Sequence, residues 1–332
     1  MKQIKTQLAL MIILVILASV FFHFNYSKDS SATKILRIAH PLSDTHPLQK
    51  SLEYFARIVE QNSQHELTVE IYPNGQLGSD YQTIEQLQYG IIPMTIVSCG
   101  PLESFIPQMQ IFGVPYLFRS REHMFKALSG PVGRELLETG LERGLKGLCF
   151  FDAGARSFYT SKTPIRSIDD LDGLKIRVMK TSMSIKSVQA MGGSPAPIDY
   201  GELYTALQQG VVDGAENNPP SFYTSMHYEI CKYYTLDEHF RIPDILLISK
   251  LRWNRLSQEE QKIIADAAQQ CSAYQQKVWA EFEEFSMEKL KSSGVEIISV
   301  NKMPFVQRVQ PIWNQFTGTE IGTWVHRIQE IQ

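Results

Sequence analysis

Several kinds of signature are missing from this sequence. No Gly-x-Gly-x-x-Gly or phosphate-loop stretch occurs, so nucleotide binding has no support. No His-Glu-x-x-His occurs, and the 8 histidines are scattered without ligand spacing, so no metal is expected. There is no Gly-x-Ser-x-Gly elbow, and nothing else marks an activated nucleophile. No catalytic residue and no cofactor are therefore expected. Only 4 cysteines are present, and none forms a Cys-x-x-Cys pair. Cys99, Cys149, Cys231 and Cys271 are read as buried free thiols rather than metal ligands. Charge of one sign is also lacking. The net charge is −3, so there is no basic field to attract nucleic acid. A protein with this balance that binds an acid must rely on a few local cations.

The longest apolar run, residues 8–22, is about 15 residues, short of the roughly 20 needed to span a bilayer. Lys2 and Lys5 precede it, and the small polar stretch 27–32 follows, with Ser30-Ser31-Ala32 as a cleavage site. This reads as a secretory signal peptide over residues 1–32, with an uncleaved N-terminal anchor as the other reading. Either way the body of the protein is expected outside the cytoplasmic membrane, in the periplasm.

The chain has 332 residues, enough for two domains with separate cores. From residue 36 it opens as strand, helix, strand, helix, strand: 36–40, 48–61, 67–72, 81–89 and 94–97. That order predicts a mostly parallel sheet covered by helices. Further helices are expected near 122–128, 133–143, 183–191 and 202–209, and strands at 145–151, 158–160, around Arg177 and at 211–215. Ser257-Gln258-Glu259-Glu260 is a capping box. The helix it starts meets no Gly or Pro until Gly294, which predicts about 34 residues and roughly 50 Å of helix. Such a rod exceeds one domain and is read as a brace across two, or as a helix bent near Phe282.

Two arginines stand out, each in apolar or β-forming sequence. Arg156 sits in Gly154-Ala155-Arg156-Ser157-Phe158 and Arg177 in Leu174-Lys175-Ile176-Arg177-Val178. Asn217 follows in Val212-Asp213-Gly214-Ala215-Glu216-Asn217-Asn218. A guanidinium presents a planar fork of donors that matches a carboxylate two-on-two. Two forks and an amide in one place make a site for a small organic acid. Strand ends in open α/β sheets are where ligands bind, and Arg156 and Asn217 are read at such ends.

Taken in order, these pieces resemble the solute-binding proteins of TRAP (tripartite ATP-independent periplasmic) transporters. The resemblance rests on Asp170-Leu171-Asp172-Gly173-Leu174-Lys175-Ile176-Arg177, Gly201-Glu202-Leu203-Tyr204-Thr205-Ala206-Leu207-Gln208 and Val212-Asp213-Gly214-Ala215-Glu216-Asn217. Tyr72-Pro73-Asn74-Gly75-Gln76-Leu77-Gly78 and Phe112-Gly113-Val114-Pro115-Tyr116 extend it, so that it covers about residues 34–330. It implies an α/β fold of two lobes around a central cleft with a long domain-spanning helix. The lobes would comprise 34–153 plus 243–282 and 154–242 plus 283–332. It implies that Arg177 pairs with a ligand carboxylate, that Arg156 supports it, and that Asn217, or its neighbour Asn218, faces the ligand. Tyr200 would lie against the ligand body. First-lobe loops would add His40, Ser98, Tyr81 and Asp80, and the return crossing His239 and Glu238.

The stretch 221–243 looks like the branch that takes sugar acids, especially hexuronates such as glucuronate and galacturonate. The resemblance implies a monomer that hands its organic acid to the small and large membrane subunits of a permease driven by an ion gradient. Other acids (aldonates, keto acids, dicarboxylates) and a role as receptor for a sensor kinase are the alternatives. A periplasmic enzyme acting on sugar acids is the rival from another class and would need a general acid or base beside the ligand.

Overall fold

The structure, a computed structural model, describes residues 33–332, so the expected signal segment 1–32 lies outside it. The first sheet has the order β2-β1-β3-β10-β4, built from β1 (Lys34–Ala39), β2 (Leu67–Tyr72), β3 (Met94–Ser98), β4 (Leu145–Phe151) and β10 (Asp244–Ser249). The second has the order β11-β9-β5-β8-β6-β7, from β5 (Arg156–Thr160), β6 (Lys175–Val178), β7 (Ser194–Pro197), β8 (Gly214–Asn217), β9 (Tyr233–Phe240) and β11 (Glu296–Ile298). Each sheet is the centre of one lobe.

The expected mostly parallel sheet carries one reversed strand. β1 pairs with β2 and β3 in parallel, but β10 is antiparallel to both β3 and β4. The cause is the return crossing. The chain leaves the first lobe along β4 and enters the second as β5, then comes back along β9 into β10. β4 pairs with β10, and β5 with β9, so a two-stranded antiparallel ribbon runs through both sheets. β10 was not foreseen. Its side chains are buried on both faces, Leu246 and Ile248 in one core and Ile245 and Leu247 in another, so the run shows no alternation.

Local chemistry places the elements that reach the cleft. His46 caps the helix Pro47–Asn62 by accepting from the Leu48 amide, and Leu48, Leu52, Phe55 and Val59 form its buried stripe. After β2, Asn74 and Gly75 both adopt left-handed backbone (φ 58° and 65°), as a tight turn requires. The Asn74 amide donates to the Leu42 carbonyl and that of Gly75 to the His40 carbonyl, which pins the turn to the end of β1. Ser79 then opens the helix Asp80–Gln88 with a capping box closed by Gln82.

Strands β5 and β8 differ from expectation in a way that matters. Gly154, at φ 62°, makes the corner after β4, so β5 begins at Arg156 itself. The segment 211–213 is a turn whose Asp213 side chain accepts from the Lys175 amide, so β8 starts later, at Gly214, and includes Asn217. Arg156 and Asn217 thus lie within paired strands rather than on the loops beyond them.

The long helix runs unbroken over Gln258–Ser292, 35 residues, from its Ser257 cap. Its N-terminal half packs on β4 and the helix Pro47–Asn62 through Ile264, Ala267, Ala268 and Cys271. Its C-terminal half packs on the short helix Pro219–Thr224, and Leu290 enters the second-lobe core with Tyr159, Phe222 and Tyr234. At the crossing, Gln275 clasps the backbone of Asp152: its Oε1 accepts from the amide at 2.9 Å and its Nε2 donates to the carbonyl at 2.8 Å. A third core covers the opposite face of both sheets without a break, from Ile84 and Leu128 to Met183 and Phe305. All four cysteines are buried free thiols.

The closing helix Glu320–Gln329 departs from the expected division, which placed 283–332 wholly in the second lobe. It packs on the first-lobe helix Pro131–Glu138 and the turn Pro107–Gly113, where Trp324, Val325 and Ile328 are buried. Arg327 meets Glu135 with two hydrogen bonds of 2.8 and 2.7 Å, and the His123 Nε2 lies 3.0 Å from the Ile328 carbonyl.

The Gln275 clasp is a test of the brace. Gln275→Leu leaves a buried amide and a buried carbonyl of Asp152 without partners, at about 1–3 kcal/mol each. Urea denaturation should show a loss of about 2–6 kcal/mol; an unchanged midpoint would mean that the clasp contributes nothing.

Candidate functional site

Between the lobes lies a cavity of about 330 Å³. Seven residues expected at the site line it: Arg177, Arg156, Asn217, Tyr200, Ser98, Asp80 and Tyr81. His40, Glu238 and His239 do not appear in the lining.

The two arginines are not equivalent. Arg156, buried in β5, has its fork turned inward onto Glu216 of β8: Nε donates to Oε2 at 2.5 Å and Nη2 to Oε1 at 2.9 Å. Its Nη1 donates to Asn217 Oδ1 at 2.9 Å, and Nη2 also reaches the Glu216 carbonyl. Register makes this possible, because β5 and β8 pair Ser157 with Asn217 and Phe158 with Glu216. Burial alone would raise the Glu216 carboxyl, but Arg156 and His239 outweigh it and hold it at about 2. The pair is therefore a buried ion pair with good geometry.

Arg177 is 3% exposed, and its Nε donates to the Ile198 carbonyl at 2.8 Å. Among the described residues no hydrogen bond or ion pair engages its two terminal nitrogens. Its guanidinium lies over the Tyr200 ring, 5.8 Å from the centroid. The Tyr200 hydroxyl is tied to Ser225 Oγ at 2.5 Å, which fixes that ring. Burial pulls the Arg177 pKa down; the charge of Glu216 opposes the shift, but among the described residues no carboxylate forms an ion pair with the side chain. A cation in this position favours an incoming anion.

Asn217 is oriented by what it accepts. Its Oδ1 takes the Arg156 Nη1 hydrogen and the Asn218 amide at 2.9 Å, which leaves its NH₂ group for the cavity. Asn218 also lines the cavity, but its Oδ1 accepts from the Ser221 amide and caps the helix Pro219–Thr224.

The other expected residues fall into place by partner. The Tyr81 hydroxyl reaches across the cleft to the Lys180 carbonyl at 2.5 Å. Glu103 of the first lobe accepts from the Ser182 amide of the second. His40 is buried behind the cleft, its Nε2 at 3.0 Å from Gln49 Oε1. Glu238, at φ 51° in a bulge of β9, turns to Lys302 at 2.6 Å. His239 is fully buried behind Arg156, with Nδ1 at 2.6 Å from Asp237 and Nε2 at 3.7 Å from Glu216. Burial opposes its charge, yet Asp237 and Glu216 raise it to about 9. Asp237, His239, Glu216 and Arg156 thus form a buried line of alternating charge behind the cavity.

Many lining residues were missed, Asp244, Trp279 and His46 among them. Asp244 opens β10, and an acid heading the apolar run Ile245-Leu246-Leu247-Ile248 was a signal for it. Trp279 sits in the long helix, next to the buried Val278. His46, pushed down to about 3 by burial, is neutral; its Nδ1 caps its helix and its Nε2 lies 3.4 Å from Ser221 Oγ of the other lobe.

Comparison with known proteins agrees with this architecture. Residues 38–319 match the family model described as bacterial extracellular solute-binding protein, family 7. A solute-binding protein of Chromohalobacter salexigens is 35% identical over 88% of this chain and 88% of its own. A TRAP periplasmic solute-binding protein of a Bradyrhizobium species, solved in complex with α/β-D-galacturonate, superposes with a TM-score of 0.87 at 38% identity, covering 90% of this chain and 100% of that one. The corresponding protein of Pseudomonas putida F1, solved with bound D-glucuronate, gives a TM-score of 0.87 at 35% identity over 90% and 97%.

The buried charge line predicts a pH signature. The folded state holds the His239 proton up to about 9, whereas the unfolded chain releases it near the ordinary 6.5. Its contribution is complete below about 6.5 and is lost as pH rises through about 9. Denaturation at pH 6 and pH 9.5 should show a fall in stability that His239→Gln removes. An equal fall in both proteins would assign it elsewhere.

Proposed function

We propose that this chain, which belongs to the bacterial extracellular solute-binding proteins of family 7, captures a hexuronate such as D-glucuronate or D-galacturonate in its cleft. It delivers that ligand, chemically unchanged, to the small and large membrane subunits of a TRAP permease. The protein acts in the periplasm as a monomer, exported on the leader read in residues 1–32. The observation that carries the reading is the unengaged fork of Arg177, set beside the free NH₂ of Asn217 in a cavity between two lobes. Arg156 acts behind it, holding Asn217 in place. The volume of about 330 Å³ lies at the small end of ligand pockets, which suits one sugar rather than a larger molecule. The hexuronates in the two solved relatives support the choice of acid.

A thermal-shift screen against uronates, aldonates, keto acids and dicarboxylates tests this. A ligand that binds only the folded state stabilises it by about 2.7 kcal/mol at a hundred times its Kd. A uronate should give the largest rise in Tm, and mass spectrometry should recover it unchanged. A dicarboxylate response without a uronate response would defeat the substrate assignment.

Arg177→Ala should weaken uronate binding by at least ~2 kcal/mol, about 30-fold, because the ligand carboxylate is then buried without a partner. Calorimetry showing unchanged affinity would remove Arg177 from the site.

A further inference from the structure

The cavity is asymmetric in charge. The second lobe offers the Arg177 fork and the Asn217 amide; of its own lining acids, Asp199 is paired with Lys180 and Glu202 is exposed. The first lobe offers acceptors, Asp80 and Asp244. Asp80 is the first residue of the helix Asp80–Gln88, and its Oδ1 is buried without a partner. Asp244 opens β10 opposite Ser98 of β3, which also lines the cavity, and is 9% exposed. Among the described residues, neither carboxyl accepts a hydrogen bond or forms an ion pair. A separate polar group is also unsatisfied: the indole N–H of Trp279, a lining residue 1% exposed, has no partner.

Buried acceptors without donors are costly, so this wall is suited to a ligand that brings donors. Hydroxyl groups do so. A second carboxylate does not: it would meet two acids, with only neutral donors such as the Trp279 N–H and the Ser98 hydroxyl to set against them. We propose that Asp80 and Asp244 form an acceptor pole that reads the hydroxyl groups of the bound acid and rejects any acid carrying a second carboxylate at its far end. The proposal rests on the reading of Arg177 as the carboxylate site. It also gives the first-lobe wall a role in specificity, since a like charge placed against the wrong ligand discriminates as well as a new attraction. Burial first, then the surrounding charges, place both carboxyls at about 7. Those charges are Arg177 and Asp199 around Asp80, and Asp80, Arg156 and Asp152 around Asp244. Above that pH the pole is anionic and its rejection of a second carboxylate is strongest.

The test is calorimetry at pH 8 with the folded protein and matched acids: D-glucuronate against D-glucarate, D-galacturonate against galactarate, and D-gluconate against D-glucarate. The last pair compares two open chains and so removes the effect of the sugar ring. Each diacid should bind at least ~10-fold more weakly than its monoacid. Asp80→Asn and Asp244→Asn keep the shape of the wall and remove its charge, so each should narrow that gap at least ~3-fold by strengthening diacid binding. A diacid that binds the native protein as tightly as its monoacid overturns the proposal, and so does a gap unchanged in both variants. Preference for gluconate over glucarate with no uronate binding would overturn the hexuronate reading and leave the charge rule standing.

Discussion

The site depends on the ion pair between Arg156 and Glu216. Two arginines close together in a dry cavity would repel each other and bind any anion indiscriminately. Glu216 cancels one of them from behind, at 2.5 and 2.9 Å. Among the described residues that line the cavity, the cation left without a carboxylate partner is then Arg177, beside the amide of Asn217, whose orientation the neutralised arginine fixes. Asp237 and His239 continue the same alternation deeper into the lobe. The cost of placing that charge line in the interior is met by geometry that leaves few of its atoms without a partner.

The frame around the site constrains how it can move. One face of both sheets is covered by a continuous core, and the strand ribbon and the long helix both pass between the lobes. The cavity lies between the lobes at the strand ends, and there the lobes also meet through polar contacts: Tyr81 with Lys180, Glu103 with Ser182, His46 with Ser221. A packed interface resists separation more than a few hydrogen bonds do. Opening is therefore expected at the cavity side, with residues 152–155 and 241–243 as the bending points.

Much of this was legible in the sequence, and the exceptions have physical reasons. Strands such as Leu67–Tyr72 show alternation, and the long helix shows its cap and an absence of breakers, so both could be located. Arg177 stood out because it interrupts apolar neighbours in a strand. Arg156 was also found, but its partner was not: Glu216 acts through the register of β5 on β8, which no local pattern encodes. Asp244 does carry a local mark, an acid at the head of an apolar run, but it reaches the cavity only because β10 inserts between β3 and β4. His239 and Glu238 were placed near the ligand by their position on the return crossing. A bulge between Arg156 and Phe158 turns His239 behind Arg156 and Glu238 toward Lys302.

The insertion of β10 and the return of the last helix also set an order of assembly. The first lobe takes its sheet from residues 34–151 and 244–249 and part of its cover from Glu320–Gln329. A chain made from its N-terminus therefore cannot finish that lobe until almost every residue is available. The second lobe draws its sheet from a more nearly contiguous stretch, 156–240, with only β11 added later. Pairings this distant in sequence are slow to close. The lobe that begins first is thus completed last, and until Asp244–Ser249 is available β3 and β4 flank an unfilled gap where an edge is open to pairing with another chain.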